Sequence, residues 1–110
     1  MKMPQQTKTL IVPLLPMREE IVFPGATVPF FVGRKASMDA MDRALAGDRE
    51  IFVVTQQESS VEDPKEEDLY KIGVLGRVLQ VMRLPNGTVK ALFQGIKRGK
   101  LLATKLAEKE

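Results

Sequence analysis

The chain has 110 residues, enough for one domain with a core of its own. Hydrophobic residues make up 44% and charged residues 28%, an ordinary balance that excludes a wholly disordered chain. With no cysteine and no histidine, it has no disulfide framework, no thiol nucleophile, no Cys/His zinc site and not the commonest general base.

The net charge of +3 is unevenly distributed. Met1 to Tyr70 carries 8 basic and 12 acidic residues, a net of −4, and Lys71 to Glu110 carries 9 basic and 2 acidic, a net of +7. A basic second half suits nucleic acid or an acidic neighbouring domain. The basic residues are spread singly, so a solvated sheet face fits them as well.

Residues 1–8 are expected to be a flexible terminus and residues 9–110 the domain. Thr9 to Leu15 predicts a first strand, rich in Leu, Ile and Val. The apolar run from Thr9 to Met17 is interrupted by Pro13 and Pro16 and ended by Arg18-Glu19-Glu20. It is too short to cross a bilayer and lacks the cleavage site of a signal peptide, so a cytoplasmic protein with no membrane partner is expected. Pro13, Pro16, Pro24 and Pro29 interrupt the apolar opening. A proline lacks a backbone donor and has a fixed φ, so this opening predicts short strands at edges, joined by stiff bends. Pro16 to Thr27 is expected to be an apolar loop, and Val28 to Val32 a second strand ended by Gly33.

Ser37 to Ala46 predicts the helix, with Ser37 as N-cap and Met38, Met41, Ala44 and Leu45 on one face. Asp39 and Arg43 are spaced to pair, and Gly47 is expected in the left-handed position after the last turn. Ile51-Phe52-Val53-Val54 predicts a central strand buried on both faces. Glu58 to Asp68 is a solvated acidic loop. It has no mid-loop glycine for a calcium site, and nothing buries Lys65 beside Ser59 or Ser60 to form a nucleophilic dyad.

Ile72 to Leu84 has apolar residues at helical spacing, but Gly73 and Gly76 disfavour a helix. Leu84-Pro85-Asn86-Gly87-Thr88 resolves this as a hairpin turn. Thr88 to Gln94 then alternates, with Val89, Ala91 and Phe93 on one face. A bend over Gly95 to Gly99 and a further strand from Lys100 to Leu106 complete the expectation. It is a mainly β (α+β) chain of about six strands and one helix, curled into a small barrel.

Several motifs occur in order: Pro13-Leu14-Leu15-Pro16-Met17-Arg18, Val22-Phe23-Pro24, Pro29-Phe30-Phe31-Val32-Gly33-Arg34, Asp68-Leu69-Tyr70-Lys71-Ile72-Gly73, and Leu84 to Lys90 through Gln94-Gly95-Ile96-Lys97-Arg98. Together they resemble the amino-terminal substrate-recognition domain of the Lon family, ATP-dependent proteases of bacteria and organelles. The resemblance implies a PUA-like pseudo-barrel with one short helix between strands two and three. It implies a longer polypeptide with an AAA+ ATPase module using ATP and Mg, a Ser–Lys protease domain, and a homohexameric ring that degrades misfolded, damaged and regulatory proteins. DNA is a partner the resemblance allows for the longer protein; these residues do not indicate it. No phosphate loop of the form G-x-x-x-x-G-K-[ST] occurs in this chain, so neither ATP hydrolysis nor peptide cleavage is expected of it.

On this reading the chain binds unfolded polypeptide through Met17, Ile21, Val22 and Phe23, apolar residues between prolines that limit the entropy lost on binding. The opposing expectation is that Ile21, Val22 and Phe23 tuck under the sheet. An alternative function is nucleic-acid binding by Arg77, Arg83, Lys90, Lys97, Arg98 and Lys100, although no aromatic residues interleave with them in a stacking pattern. Self-association through an open sheet edge is a third reading.

Overall fold

The computed structural model describes residues 10–18, 20–62 and 64–102. Five strands and one α-helix run in the order β1 (Leu14–Met17), β2 (Thr27–Val32), α1 (Lys35–Ala46), β3 (Glu50–Thr55), β4 (Ile72–Arg83) and β5 (Val89–Lys100). A single 3-10 turn, Glu66–Asp68, lies between β3 and β4. The strands form one sheet in the order β1-β3-β4-β5-β2. β1 runs parallel to β3, and every other neighbour is antiparallel.

The β4–β5 hairpin is the axis of the sheet. Its turn is held by the Leu84 amide donating to the Thr88 carbonyl at 2.9 Å and the Gly87 amide to the Leu84 carbonyl at 3.1 Å. Asn86 Oδ1 accepts from the Thr88 amide and hydroxyl at 3.1 and 2.6 Å, and Gly87 takes φ +89°, so the turn chemistry is as the sequence predicts. The expected bend over Gly95 to Gly99 is absent. β5 continues to Lys100, and its register against β4 slips at two places instead. Gly76 faces Gly95 while Leu75 faces Lys97, and Val78 faces Phe93 while Gln80 faces Leu92. Ile96 and Leu79 are the extra residues, and such bulges coil a strand without ending it.

One face of the sheet carries the main core. Leu15 and Met17 of β1, Phe30 and Val32 of β2, Ile51 and Val53 of β3, Val74 and Val78 of β4, and Val89, Ala91 and Phe93 of β5 belong to one buried cluster. Side chains of both edge strands therefore meet one core, so the sheet is curled although its edges do not pair. Phe30 and Phe93 stack at 5.2 Å between centroids. Helix α1 covers this face with Ala40, Met41 and Ala44, and Met38 and Leu45 pack at its margin. A second, smaller cluster on the opposite face joins Phe52, Val54, Leu69, Leu75 and Leu101 to Val12 and Leu14. Strand β3 is thus buried on both sides, as its unbroken apolar run predicts.

Several boundaries differ from the sequence expectation. β1 occupies Leu14–Met17; of the strand expected over Thr9 to Leu15, Thr9 lies outside the described residues and residues 10–13 are not in a strand. The Phe52 amide binds the Pro13 carbonyl at 2.9 Å, so pairing with β3 begins only there. The helix starts at Lys35 with Arg34 at the cap and no side-chain cap bond. Ser37 lies within the helix at 4% exposure. Gly47 has φ −108°, and the left-handed residue after the helix is Arg49 at φ 69°. Asp39 pairs with Lys35, at 3.5 Å, and not with Arg43. Of the further strand expected over Lys100 to Leu106, Lys100 ends β5, Leu101 and Leu102 are not in a strand, and residues 103–106 lie outside the described residues.

Gly76 lies where the hairpin is tightest. A Cβ there would overlap the Gln94 carbonyl oxygen and the Phe93 ring. The backbone oxygen cannot yield without breaking the ladder, so Gly76→Ala is expected to destabilise the domain by about 3 kcal/mol, the upper end of overpacking costs. Urea unfolding followed by circular dichroism measures it.

Candidate functional site

The connection from β1 to β2 is tied to the sheet by hydrogen bonds at Glu20 and at residues 25–26. At its start the Thr55 hydroxyl donates to the Glu20 carbonyl at 2.8 Å. At its end Phe23-Pro24-Gly25-Ala26 makes a tight turn, closed by the Ala26 amide on the Phe23 carbonyl at 3.1 Å, with Gly25 at φ +87°. Proline at the second turn position and a left-handed glycine at the third define a type II turn. The turn is tied to β5 from both sides: the Gly25 amide donates to the Gly95 carbonyl, and the Gly95 amide to the Ala26 carbonyl, each at 2.9 Å.

Side chains along this path alternate in and out. Met17 (6% exposed) and Val22 (8%) belong to the main core, whereas Ile21 (69%) and Phe23 (58%) face solvent. Met17 is the last residue of β1 and not part of the loop, and the four residues singled out from sequence divide into two anchors and two displayed groups. Ile21 and Phe23 stand beside a shallow cleft of about 120 Å³. Its other walls include Thr55 from β3, Ile72 and Val74 from β4 and Arg98 from β5. Ile72 is itself 57% exposed. Sequence reading does not single out Ile72 and Val74 for this cleft, because only the pairing of Ile72 with Lys100 and of Val74 with Arg98 brings them beside the loop. The cleft offers apolar surface, one hydroxyl and one cation, which suits binding. Among the described residues no group of three His, Cys, Asp or Glu side chains is arranged to hold a metal ion.

The acidic loop after β3 is fastened more firmly than a solvated loop would be. The Arg34 guanidinium donates to the Pro16 carbonyl at 2.9 Å, to Gln56 Oε1 at 2.7 Å and to the Glu62 carbonyl at 3.3 Å. Gln56, only 2% exposed, donates its amide to the Glu58 and Val61 carbonyls. Arg18 reaches the Ser59 carbonyl and pairs with Glu62 at 3.0 Å. The Gly33-Arg34 motif is the sequence signal of this clamp. It fixes the chain where the loop leaves β1.

The six basic residues of the nucleic-acid reading do not gather into one patch. From Lys90 to Lys100 the strand extends about 33 Å at the usual strand rise. Lys90 lies over the Phe31 ring at 5.9 Å, and Arg83 is 3.7 Å from Asp42.

The family model of the ATP-dependent protease La (LON) substrate-binding domain matches residues 11–110. The chain belongs to this Lon substrate-binding domain family. It is 44% identical over 93 residues to Lon protease 1 of Syntrophobacter fumaroxidans, covering 84% of this chain and 11% of that protein. It is 47% identical over 90 residues to Lon protease 1 of Hydrogenovibrio crunogenus, covering 82% of this chain and again 11% of the relative. The chain thus spans only about a ninth of the length of these Lon proteases. Among solved structures, the N-terminal domain of Mycobacterium avium complex Lon protease superposes with a TM-score of 0.64 at 26% identity, over 90% of this chain and 56% of that one. The mainly β architecture with one helix is therefore that of Lon N-terminal domains.

Gly25 is the residue that holds this Lon-family loop in its turn. A substituted Cβ would meet nothing within 4 Å there, so the cost of Gly25→Ala is that of the positive φ alone. The expected loss is about 1–2 kcal/mol, the penalty for an L-residue in the left-handed region. Hydrogen exchange of the Ala26 amide should accelerate in this variant, while exchange in the β4–β5 hairpin stays protected.

Proposed function

We propose that this domain captures unfolded polypeptide for an ATP-dependent Lon-type protease, with Ile21 and Phe23 as its first contacts. The observation that carries the reading is the display of these two large apolar side chains on a backbone tied at both ends. An unfolded chain differs from a folded one in its exposed apolar side chains, and a receptor for it must offer apolar surface of its own. Holding Ile21 and Phe23 on a fixed backbone reduces the ordering entropy lost when they bind. A shallow, open cleft discriminates little between sequences, as a receptor for many damaged proteins must.

In this reading the domain is a receptor without catalysis of its own. Peptide cleavage by a Ser–Lys pair and ATP hydrolysis with Mg belong to other parts of a longer Lon chain, active as a cytoplasmic homohexamer that removes misfolded, damaged and regulatory proteins. The similarity to Lon proteases across most of this chain supports that assignment.

Replacing Ile21 and Phe23 together by Ser tests the contact. Both are exposed, so the double variant is expected to keep its unfolding midpoint. Its affinity for a fluorescently labelled, permanently unfolded protein should fall by tenfold or more, from the loss of about 1.5 kcal/mol or more per buried apolar side chain. Fluorescence anisotropy reads this, and undiminished binding by a folded variant contradicts the assignment. Raising salt separates it from phosphate-driven binding, which weakens steeply with salt whereas apolar capture does not.

A further inference from the structure

Among the described residues, one strand segment of the sheet has no neighbour on one side. β2 pairs with β5 only from Val89 to Gln94, and the Gly25 and Ala26 contacts at Gly95 end that pairing. β5 continues to Lys100, held on its other side by Ile72 to Leu75. Among the described residues, no strand pairs with the outer side of residues 96–100. The direction of the unpaired groups follows from the ladder. The Leu101 amide donates to the Lys71 carbonyl at 2.6 Å, so it points toward the β4 side. Backbone groups alternate along an antiparallel strand, so those of Gly99 and Lys97 point the same way. The N–H and C=O groups of Arg98 and Lys100 point outward.

Two features next to this edge indicate what fits it. Arg98 lines the cleft beside Ile21, Phe23, Ile72 and Val74, so the edge opens directly onto the apolar surface. Lys97, Arg98 and Lys100 make no ion pair among the described residues, so the edge is a concentration of uncompensated positive charge. We infer that the free edge of β5 at Arg98 and Lys100 takes up an extended acidic peptide as an added strand, its backbone pairing with these two residues and its apolar side chains entering the cleft beside Ile21 and Phe23. The inference rests on the capture reading and specifies how captured chain is held. Strand addition suits a receptor for varied sequences, because main-chain bonds supply affinity that is independent of side chains. The cations select against basic segments and speed the encounter with acidic ones. A nucleic acid satisfies the charge but has no pattern of donors and acceptors to match the exposed strand.

The test uses the 110-residue chain and a soluble eight-residue peptide of alternating glutamate and valine. Hydrogen exchange should show the Arg98 and Lys100 amides protected at least tenfold by the peptide, with the Lys97 and Gly99 amides unchanged because they already face β4. The same peptide with its valine amides N-methylated, which retains charge and apolar groups but cannot form a ladder, should bind at least tenfold more weakly. Changing Lys97, Arg98 and Lys100 together to Gln should weaken the unmodified peptide and flatten its salt dependence. The inference is overturned if the methylated peptide binds equally well, if the Arg98 and Lys100 amides stay unprotected, or if an eight-nucleotide single strand displaces the peptide and binds more tightly. Capture itself is scored separately with the unfolded protein. If that binds while Arg98 and Lys100 remain unprotected, capture stands and strand addition is wrong; if neither ligand binds, both fail.

Discussion

A proline inside a strand cannot give an N–H to a neighbour, and that constraint organises this fold. Pro16 lies within β1 and Pro29 within β2, and the strand order places β1 and β2 at the two edges of the sheet. The strands without proline, β3, β4 and β5, fill the interior. Once the first two strands are edges, the segment between them must pass from one rim of the curled sheet to the other. That segment is the loop from Arg18 to Ala26, and its crossing over the end of the barrel-like core is what displays Ile21 and Phe23. The edge position also leaves the Pro16 carbonyl available to Arg34, which ties the acidic loop to the same region.

The geometry at the crossing follows from close backbone contacts. The type II turn at Pro24-Gly25 lets the loop descend onto Gly95, and its two hydrogen bonds there occupy the side of β5 that β2 occupies further along. Val22 and Met17 anchor the path in the core, and the residues between and beyond them are left outside. A surface of this kind is held by the fold without being used by it. Ile21 and Phe23 bury little in the domain, so packing does not account for their size and apolar character.

Much of this was legible in the sequence. Pro85-Asn86-Gly87 and the alternation of Val89, Ala91 and Phe93 specify the central hairpin, because turn chemistry and period-two burial are local properties. The unbroken run Ile51 to Val54 likewise announces a strand buried on both faces. The helix face and its last residue, Ala46, were legible, but its start was not. Ser37 is a favourable cap by type, yet the turn begins two residues earlier at Lys35 and buries the serine. The division of the proposed contact residues was also hidden. Nothing local distinguishes Val22 from Ile21; only the position of the main core beneath the loop decides which points inward. Ile72, Val74 and Arg98 join the cleft through strand register, and the register depends on a bulge at Ile96 that the glycines around it suggested as a bend.

The central claim is that one loop, among several exposed apolar groups, receives unfolded chain. Phe31 and Met82 are comparably exposed, at 66% and 60%, and provide internal controls on the outer face of β2 and β4. A photo-reactive phenylalanine derivative placed singly at Ile21, Phe23, Phe31 and Met82, and irradiated with an unfolded polypeptide, discriminates among them directly. The account predicts strong crosslinks from positions 21 and 23 and background levels from 31 and 82. Equal crosslinking from all four positions, or crosslinks only from 31 and 82, would contradict it.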